Sequence, residues 1–441
     1  MALDGNRSHR LSFYAFDLLH LDGEDLRRLS IEQRRARLRA LLASGEFVTA
    51  ERIRNYSIIF LLFYMVSTVA MVATSSDNLD VWGRPLGTDF SNVYTAGLLA
   101  AQGRPLEIYD PAAHFEFQRQ FFYEDVPLYG WHYPPMFLAV ARVLAELSYI
   151  AALGAYMLVT FAFYLFAVVR LLPRRETLLV AAAFPAVFVC LGHGQNAFLS
   201  AALLAVLFAE LDRRPAVAGF ALGLLTYKPQ FGALFPLALL LARRWAVFGA
   251  ATITTLVVVA ATVVAWQWDI WSAFAENSSF TSGYILEQGA TGWEKIQTVF
   301  SGVRMWGAPI WFGYLAQAIS AVIVGVLTMW VWRREDVSTN VKGAVLIVSS
   351  LLVTPYFLDY DLVVLALPIT LMVREGLASR FLPYEKTMLV ALWVLPLVSR
   401  VVGHAKIPLT PIVLTLFLLL LWRNRLIVGR FSSTEALANG Y

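Results

Sequence analysis

A few polar residues stand out in a chain that is otherwise apolar. Asp89 follows Gly87 and Thr88 and precedes Phe90. A carboxylate close to a membrane segment is costly to desolvate, which makes it a functional candidate. Aspartate also caps helices, so Asp89 is either the N-cap of the helix carrying Tyr94 or a general base. Lys228 sits between Tyr227 and Pro229, in an apolar hairpin with no acidic neighbour in sequence. Its ammonium can snorkel to the interface, or it can face a phosphate, for which a compact charge is well suited. His193 and Gln195 lie in Gly192-His193-Gly194-Gln195-Asn196. That is an ordinary glycine-rich turn, or a close backbone approach to a ligand with an amide for sugar hydroxyls. Asp359 and Asp361 alternate with Tyr356 and Tyr360. They can cap the helix that follows, bind hydroxyls or share a metal. Tyr94, with His132 and Tyr133 ahead of Pro134 and Pro135, completes the candidate binding set.

These residues need a scaffold, and composition says which. Of 441 residues 59% are hydrophobic and 15% charged, against about a quarter charged in soluble domains. Mean hydropathy is +0.62. An all-α integral membrane protein follows. The net charge of +4 gives no reason to expect a nucleic-acid partner. The lone cysteine, Cys190, excludes an intramolecular disulfide and a cysteine-cluster metal site. Residues 1–50 are charged and lack the apolar core of a signal peptide, so the first apolar run serves as signal anchor.

About twelve apolar runs are expected to become helices: 56–74, 149–171, 177–191, 196–211, 215–227, 229–242, 246–266, 308–331, 342–355, 361–373, 387–400 and 409–422. Several are shorter than the roughly 20 residues that a span needs. Basic clusters such as Arg174-Arg175, Arg213-Arg214, Arg243-Arg244 and Arg333-Arg334 thread them by the positive-inside rule. With those clusters inside, both termini are cytoplasmic. The polar hairpin tips then fall on one outer face with the loops 75–134 and 267–307. Segment 135–147 is too short to span and carries Arg142 and Glu146 four apart, which suits an interfacial or re-entrant helix begun by its prolines. Segments 89–102 and 111–123 are further interfacial candidates.

Residues 1–54 form a basic cytoplasmic segment distinct from the domain at 55–425, and 426–441 form a cytoplasmic tail. The run from Phe13 to Arg27, through Asp17, His20 and Gly23, resembles one internal motif of ATP-dependent DNA ligases, and the resemblance continues weakly to about Leu42, covering residues 13–42. The ligase lysine motif is absent, and a fragment this short cannot bury a core. It reads as a remnant, compatible with a basic tail on the inner leaflet.

From about residue 56 to 422 the motifs together resemble glycosyltransferase family 87, the GT-C-fold, polyprenol-phosphate-mannose-dependent type. The resemblance rests on Thr88-Asp89-Phe90 with Tyr94 and Ala96, Gly103-Arg104-Pro105, Tyr109-Asp110 and Tyr133-Pro134-Pro135. It continues through Gly194-Gln195-Asn196, Lys228-Pro229-Gln230 and Thr354-Pro355-Tyr356 leading to Tyr360-Asp361. It implies a GT-C-like bundle in the plasma membrane and an inverting transfer on the extracytoplasmic face. A hexose, with mannose first, would pass from a polyprenyl-phosphate sugar to a lipid or glycan acceptor. Asp89 falls on the base position, and Lys228 would offset charge on the leaving phosphate. No cofactor is implied, and no metal is needed if basic residues balance that charge. Characterised members carry histidines where this chain has Asp359, Tyr360 and Asp361, so the sugar, the acceptor and a divalent metal stay open. Two other readings also stay open: a flippase for a lipid-linked sugar, and a GT-C transferase with a non-mannose donor.

Overall fold

The computed structural model describes residues 17–427. The first residues of the ligase-like run and nearly all of the 426–441 tail lie outside the described residues. The described chain is almost wholly helical. Its sheet is one hairpin, His20–Leu21 against Glu24–Asp25.

Among the described residues six helices are long and apolar enough to cross a bilayer: Ala50–Ala73, Tyr149–Leu171, Trp245–Trp266, Ile310–Arg333, Glu385–His404 and Leu409–Ile427. A seventh crossing is available if Arg175–Ala182 and Pro185–His193, bent by 50°, count as one broken span. The break has a local cause. Pro185 has no N–H to donate and pushes Phe184 out of helical geometry, to φ −59° and ψ 126°.

The twelve expected runs therefore do not yield twelve full-length spans by length and composition. All twelve fall in helical segments, but five helices are short: Pro135–Leu144, Ala197–Glu210, Pro215–Tyr227, Pro229–Leu241 and Thr339–Val353. Proline opens three of these, where its missing N–H does least harm. The run expected at 361–373 begins as a 3-10 helix, Asp359–Leu365, and continues as Ala366–Ala378.

Short and long helices occupy different layers. Eleven of the fourteen residues in Ala197–Glu210 are buried. In the apolar windows of Ala50–Ala73 and Ile310–Arg333 only 11% and 17% are. Ala50–Ala73 and Ile310–Arg333 thus lie at the periphery and Ala197–Glu210 inside, while Leu409–Ile427 is half buried. Close approach is built in with glycine. A Cβ added at Gly219 would lie 2.4 Å from the Val247 carbonyl oxygen, and one at Gly223 2.5 Å from the Thr254 Cβ. This small-xxx-small stripe seats Pro215–Leu224 on Trp245–Trp266.

One expected surface helix is placed otherwise. Phe90–Ala101 has nine of its twelve residues buried and is a core element, with Gly97 against the Ala141 carbonyl. Pro135–Leu144 is its packing partner. Arg142 does pair with Glu146. At the N-terminal end, helix Ile31–Ser44 has no buried residue, yet its C-terminal end is tied to the Glu385–His404 helix. The Tyr384 N–H donates to the Ala43 carbonyl at 2.9 Å and the Thr387 hydroxyl to that of Leu42 at 2.6 Å.

Candidate active site

The short inner helices end inside the bundle, and their polar tips are buried with them. Gln195 is 4% exposed, Lys228 4% and Asp361 2%. Tips that are far apart in sequence meet there.

Asp89 occupies the N-cap position of Phe90–Ala101, but its side chain caps nothing. A capping aspartate needs an extended backbone to reach the first free N–H groups. Asp89 is already helical, at φ −70° and ψ −19°. Its carboxylate turns instead to Gln195, whose Nε2 donates to Oδ2 at 2.9 Å. The Gln195 carbonyl oxygen is fixed in turn by the Tyr133 hydroxyl at 2.9 Å and the Asn196 N–H at 3.2 Å. With both of these donors spent on the oxygen, the amide can present only N–H to Asp89. Among the described residues no side chain or backbone group donates to Asp89 Oδ1.

Backbone turns set this contact. Gly87 and Gly194 both adopt positive φ, +66° and +61°. A Cβ at Gly194 would lie 2.7 Å from the Phe90 Cβ and 3.0 Å from the Gly87 carbonyl oxygen. The turn is therefore a close backbone approach between two parts of the site. Gly194→Val is expected to destabilise the protein by about 1–3 kcal/mol through the left-handed backbone and the clash. It should also part Gln195 from Asp89. Thermal unfolding in detergent reads the first effect and transfer activity the second.

His193, on the same turn, meets the Thr88 hydroxyl through Nδ1 at 2.8 Å, and its ring lies 5.7 Å from that of Tyr360. The Asp359 and Asp361 carboxylates face different partners. In a 3-10 helix, three residues per turn send positions two apart in different directions. Asp361 Oδ1 receives the Lys228 ammonium at 2.5 Å, and Oδ2 accepts from the Leu358 N–H at 3.2 Å. Asp359 Oδ1 accepts from the Tyr360 N–H at 2.9 Å, while Oδ2 faces Arg400 Nη1 at 3.5 Å. Burial pushes the Asp359 carboxyl up from its ordinary value, against the pull of His193, Arg400 and Lys295. Among the described residues no three side chains of His, Cys, Asp or Glu come together as metal ligands.

Lys228 does not snorkel. Its Nζ lies in a buried pair with Asp361, 5.6 Å from the rings of Phe231 and Tyr360. Tyr94 is not at the site either. Its hydroxyl donates to the Leu147 carbonyl at 2.7 Å and its ring packs on Phe90 and Tyr149. His132 stays close enough to feel the charge of Asp89, but burial pushes its imidazole down to about 4. It is neutral at physiological pH and its Nδ1 is engaged with the Thr281 hydroxyl at 2.9 Å.

Two supports, Asn277 and Arg400, were not singled out from sequence, and a third, Tyr109, entered there only within the Tyr109-Asp110 motif. Asn277 donates to the Trp131 carbonyl at 2.9 Å and Tyr109 to that of Tyr133 at 3.0 Å, fixing the strand of chain that carries Tyr133. Arg400, in the last turns of Glu385–His404, reaches Asp359. Its signal was a lone arginine at the end of an apolar run expected to lie outside, away from the basic clusters.

The family model for glycosyltransferase family 87 matches residues 131–355, which spans half the chain and takes in Tyr133, Gln195 and Lys228. The chain belongs to glycosyltransferase family 87. Membership in family 87 together with the spanning helices makes it a membrane glycosyltransferase, with a sugar donor, an acceptor and the bilayer as its partners. No curated protein and no solved structure matches the chain.

Proposed function

We propose that this family 87 transferase moves a hexose, with mannose the first donor sugar to test, from a polyprenyl-phosphate carrier to a lipid or glycan acceptor. The site faces the extracytoplasmic side of the plasma membrane. Residues 1–54 and the 426–441 tail lie in the cytoplasm, and 55–425 form the GT-C-like transferase domain. One observation carries the reading: the Asp89 carboxylate is turned away from capping and is held by a Gln195 amide that Tyr133 and the Asn196 N–H orient.

In the proposed step the acceptor hydroxyl gives its proton to Asp89. Its oxygen forms a bond to the anomeric carbon as the bond from that carbon to the phosphate oxygen breaks. The electron pair leaves with the lipid phosphate. Attack from the face opposite the leaving group inverts the anomeric centre. Gln195 keeps the carboxylate aimed, and a base held in place avoids reorganisation during the reaction. His193, which meets Thr88 and Tyr360, and Tyr133, which holds Gln195, surround Asp89 through these contacts, and with Tyr360 they are the groups proposed to contact the sugar. Lys228 and Asp361 tie two hairpin tips together under Tyr360.

The test is a panel of labelled donors given to membranes containing the full chain. Polyprenyl-phosphate mannose, glucose and arabinose are the candidates. Label should pass to an acceptor from the mannose or the glucose donor, transfer from the pentose donor alone would contradict a hexose, and a chelator should not change the rate, because Asp359 and Asp361 are turned to different cations. Transfer from a nucleotide sugar and from none of the three lipid donors would refute the proposal.

A further inference from the structure

An enzyme that expels a lipid phosphate needs a positive group beside the leaving oxygen. Lys228 is poorly placed for it. Its ammonium and the Asp361 carboxylate are 2.5 Å apart and 4% and 3% exposed, so the pair is neutral in sum and closed off. A phosphate could reach Lys228 only by displacing Asp361.

Arg400 differs on each point. Its side chain is 40% exposed, while its partner Asp359 is 2% exposed. The approach of 3.5 Å is longer than the 2.7–2.9 Å usual for a charge-assisted hydrogen bond, so the guanidinium fork is largely unspent. Among the described residues its guanidinium donates no hydrogen bond within ordinary hydrogen-bond distance. It also sits in the last turns of a helix long and apolar enough to cross the bilayer. A charge there needs a partner or a polar cavity, and the end of a span is where lipid phosphates lie. Lys295 stands nearby. Its backbone carbonyl accepts from the Asp359 N–H at 3.0 Å, and its charge acts on both Asp359 and His193. Among the described residues Lys295 enters no ion pair. The group is connected to the base by contacts already described: Arg400 to Asp359, Tyr360 to His193, His193 to Thr88, which adjoins Asp89.

We infer that Arg400, with Lys295, binds the phosphate of the lipid carrier, and that Asp359 holds the guanidinium in place until the phosphate arrives. The inference rests on the lipid-phosphate donor proposed above. The planar fork can grip two phosphate oxygens at once, which an ammonium cannot do with the same geometry.

The experiment is calorimetric titration of the full-length protein in detergent with farnesyl phosphate. Farnesol, inorganic phosphate and phosphatidylglycerol serve as competitors. Farnesyl phosphate should bind, and Arg400→Gln should weaken it about tenfold or more, the loss of a hydrogen-bonded charge. Arg400→Lys should fall between. Since Arg400→Gln leaves Asp359 without its cation, Asp359→Asn/Arg400→Gln is measured beside it and should bind as weakly. Restored binding in the double variant would reduce Arg400 to a counter-charge for Asp359 and overturn the inference. Equal binding by the wild type and Arg400→Gln would overturn it too, leaving the donor class intact. No binding of farnesyl phosphate by the wild type would instead remove the lipid-phosphate reading beneath it. Displacement by phosphatidylglycerol as effective as by farnesyl phosphate would make the site a general anionic-lipid contact and refute a carrier-specific role.

Discussion

Asp89→Asn lowers sugar transfer by about 10²–10⁴-fold while the protein accumulates and melts as the wild type does. The range is that of a lost general base. Asparagine has nearly the shape of aspartate and still offers an oxygen to the Gln195 amide, so the contact at 2.9 Å survives. What it lacks is the capacity to take a proton. The same substitution separates the two roles that the sequence allowed. Asparagine caps helices as well as aspartate does, so a capping residue would lose nothing in either assay. Gln195→Leu gives the complementary result. The carboxylate remains but its amide partner is gone, and the rate falls by roughly tenfold, as for a lost hydrogen bond to a charged group. That loss should appear in kcat more than in KM if Gln195 aims the base.

The second large effect is on folding. Lys228→Met removes one member of a buried ion pair and leaves the Asp361 carboxylate 2% exposed without its cation. Such a change costs about 3–5 kcal/mol, a large part of the roughly 5–15 kcal/mol that holds a typical domain. Little folded Lys228→Met should be recovered, as judged by size-exclusion chromatography of the detergent-solubilised protein. The pair itself need not be a net stabiliser, because two charges must be desolvated to form it. Lys228→Met/Asp361→Leu should therefore recover much of the lost folding. A Lys228→Met single variant as well folded as the wild type would mean that the ammonium is not tied to Asp361.

Much of the scaffold could be read in advance because it follows from local pattern. Apolar runs became helices, and the proline that opens three of the five short ones is visible in the sequence. The polar tips could be read for a similar reason. His193, Gln195, Lys228 and Asp361 interrupt apolar stretches; the last three are buried and His193 is partly buried beside Thr88 and Tyr360. What could not be read was pairing over distance. Lys228 seemed to lack an acidic partner because that partner lies 133 residues on. Asp359 and Asp361 looked like a joint site because two residues apart is close in sequence, while the 3-10 geometry aims them differently. Tyr94 sits on the right helix, but the buried face of Phe90–Ala101 carries it to the Leu147 carbonyl. Length misled the span count for a related reason. An inner helix shielded by other helices need not cross the whole bilayer, so an apolar run need not be a full span.

The most direct measurement compares membranes carrying the full chain with membranes carrying equal amounts of folded Asp89→Asn. Both receive the same polyprenyl-phosphate sugar with a labelled hexose. Label should reach an acceptor in the wild type and be lost by at least about a hundredfold in the variant. Equal labelling in the two would contradict the assignment of Asp89 as the base and move the search for it to the Asp359 tip.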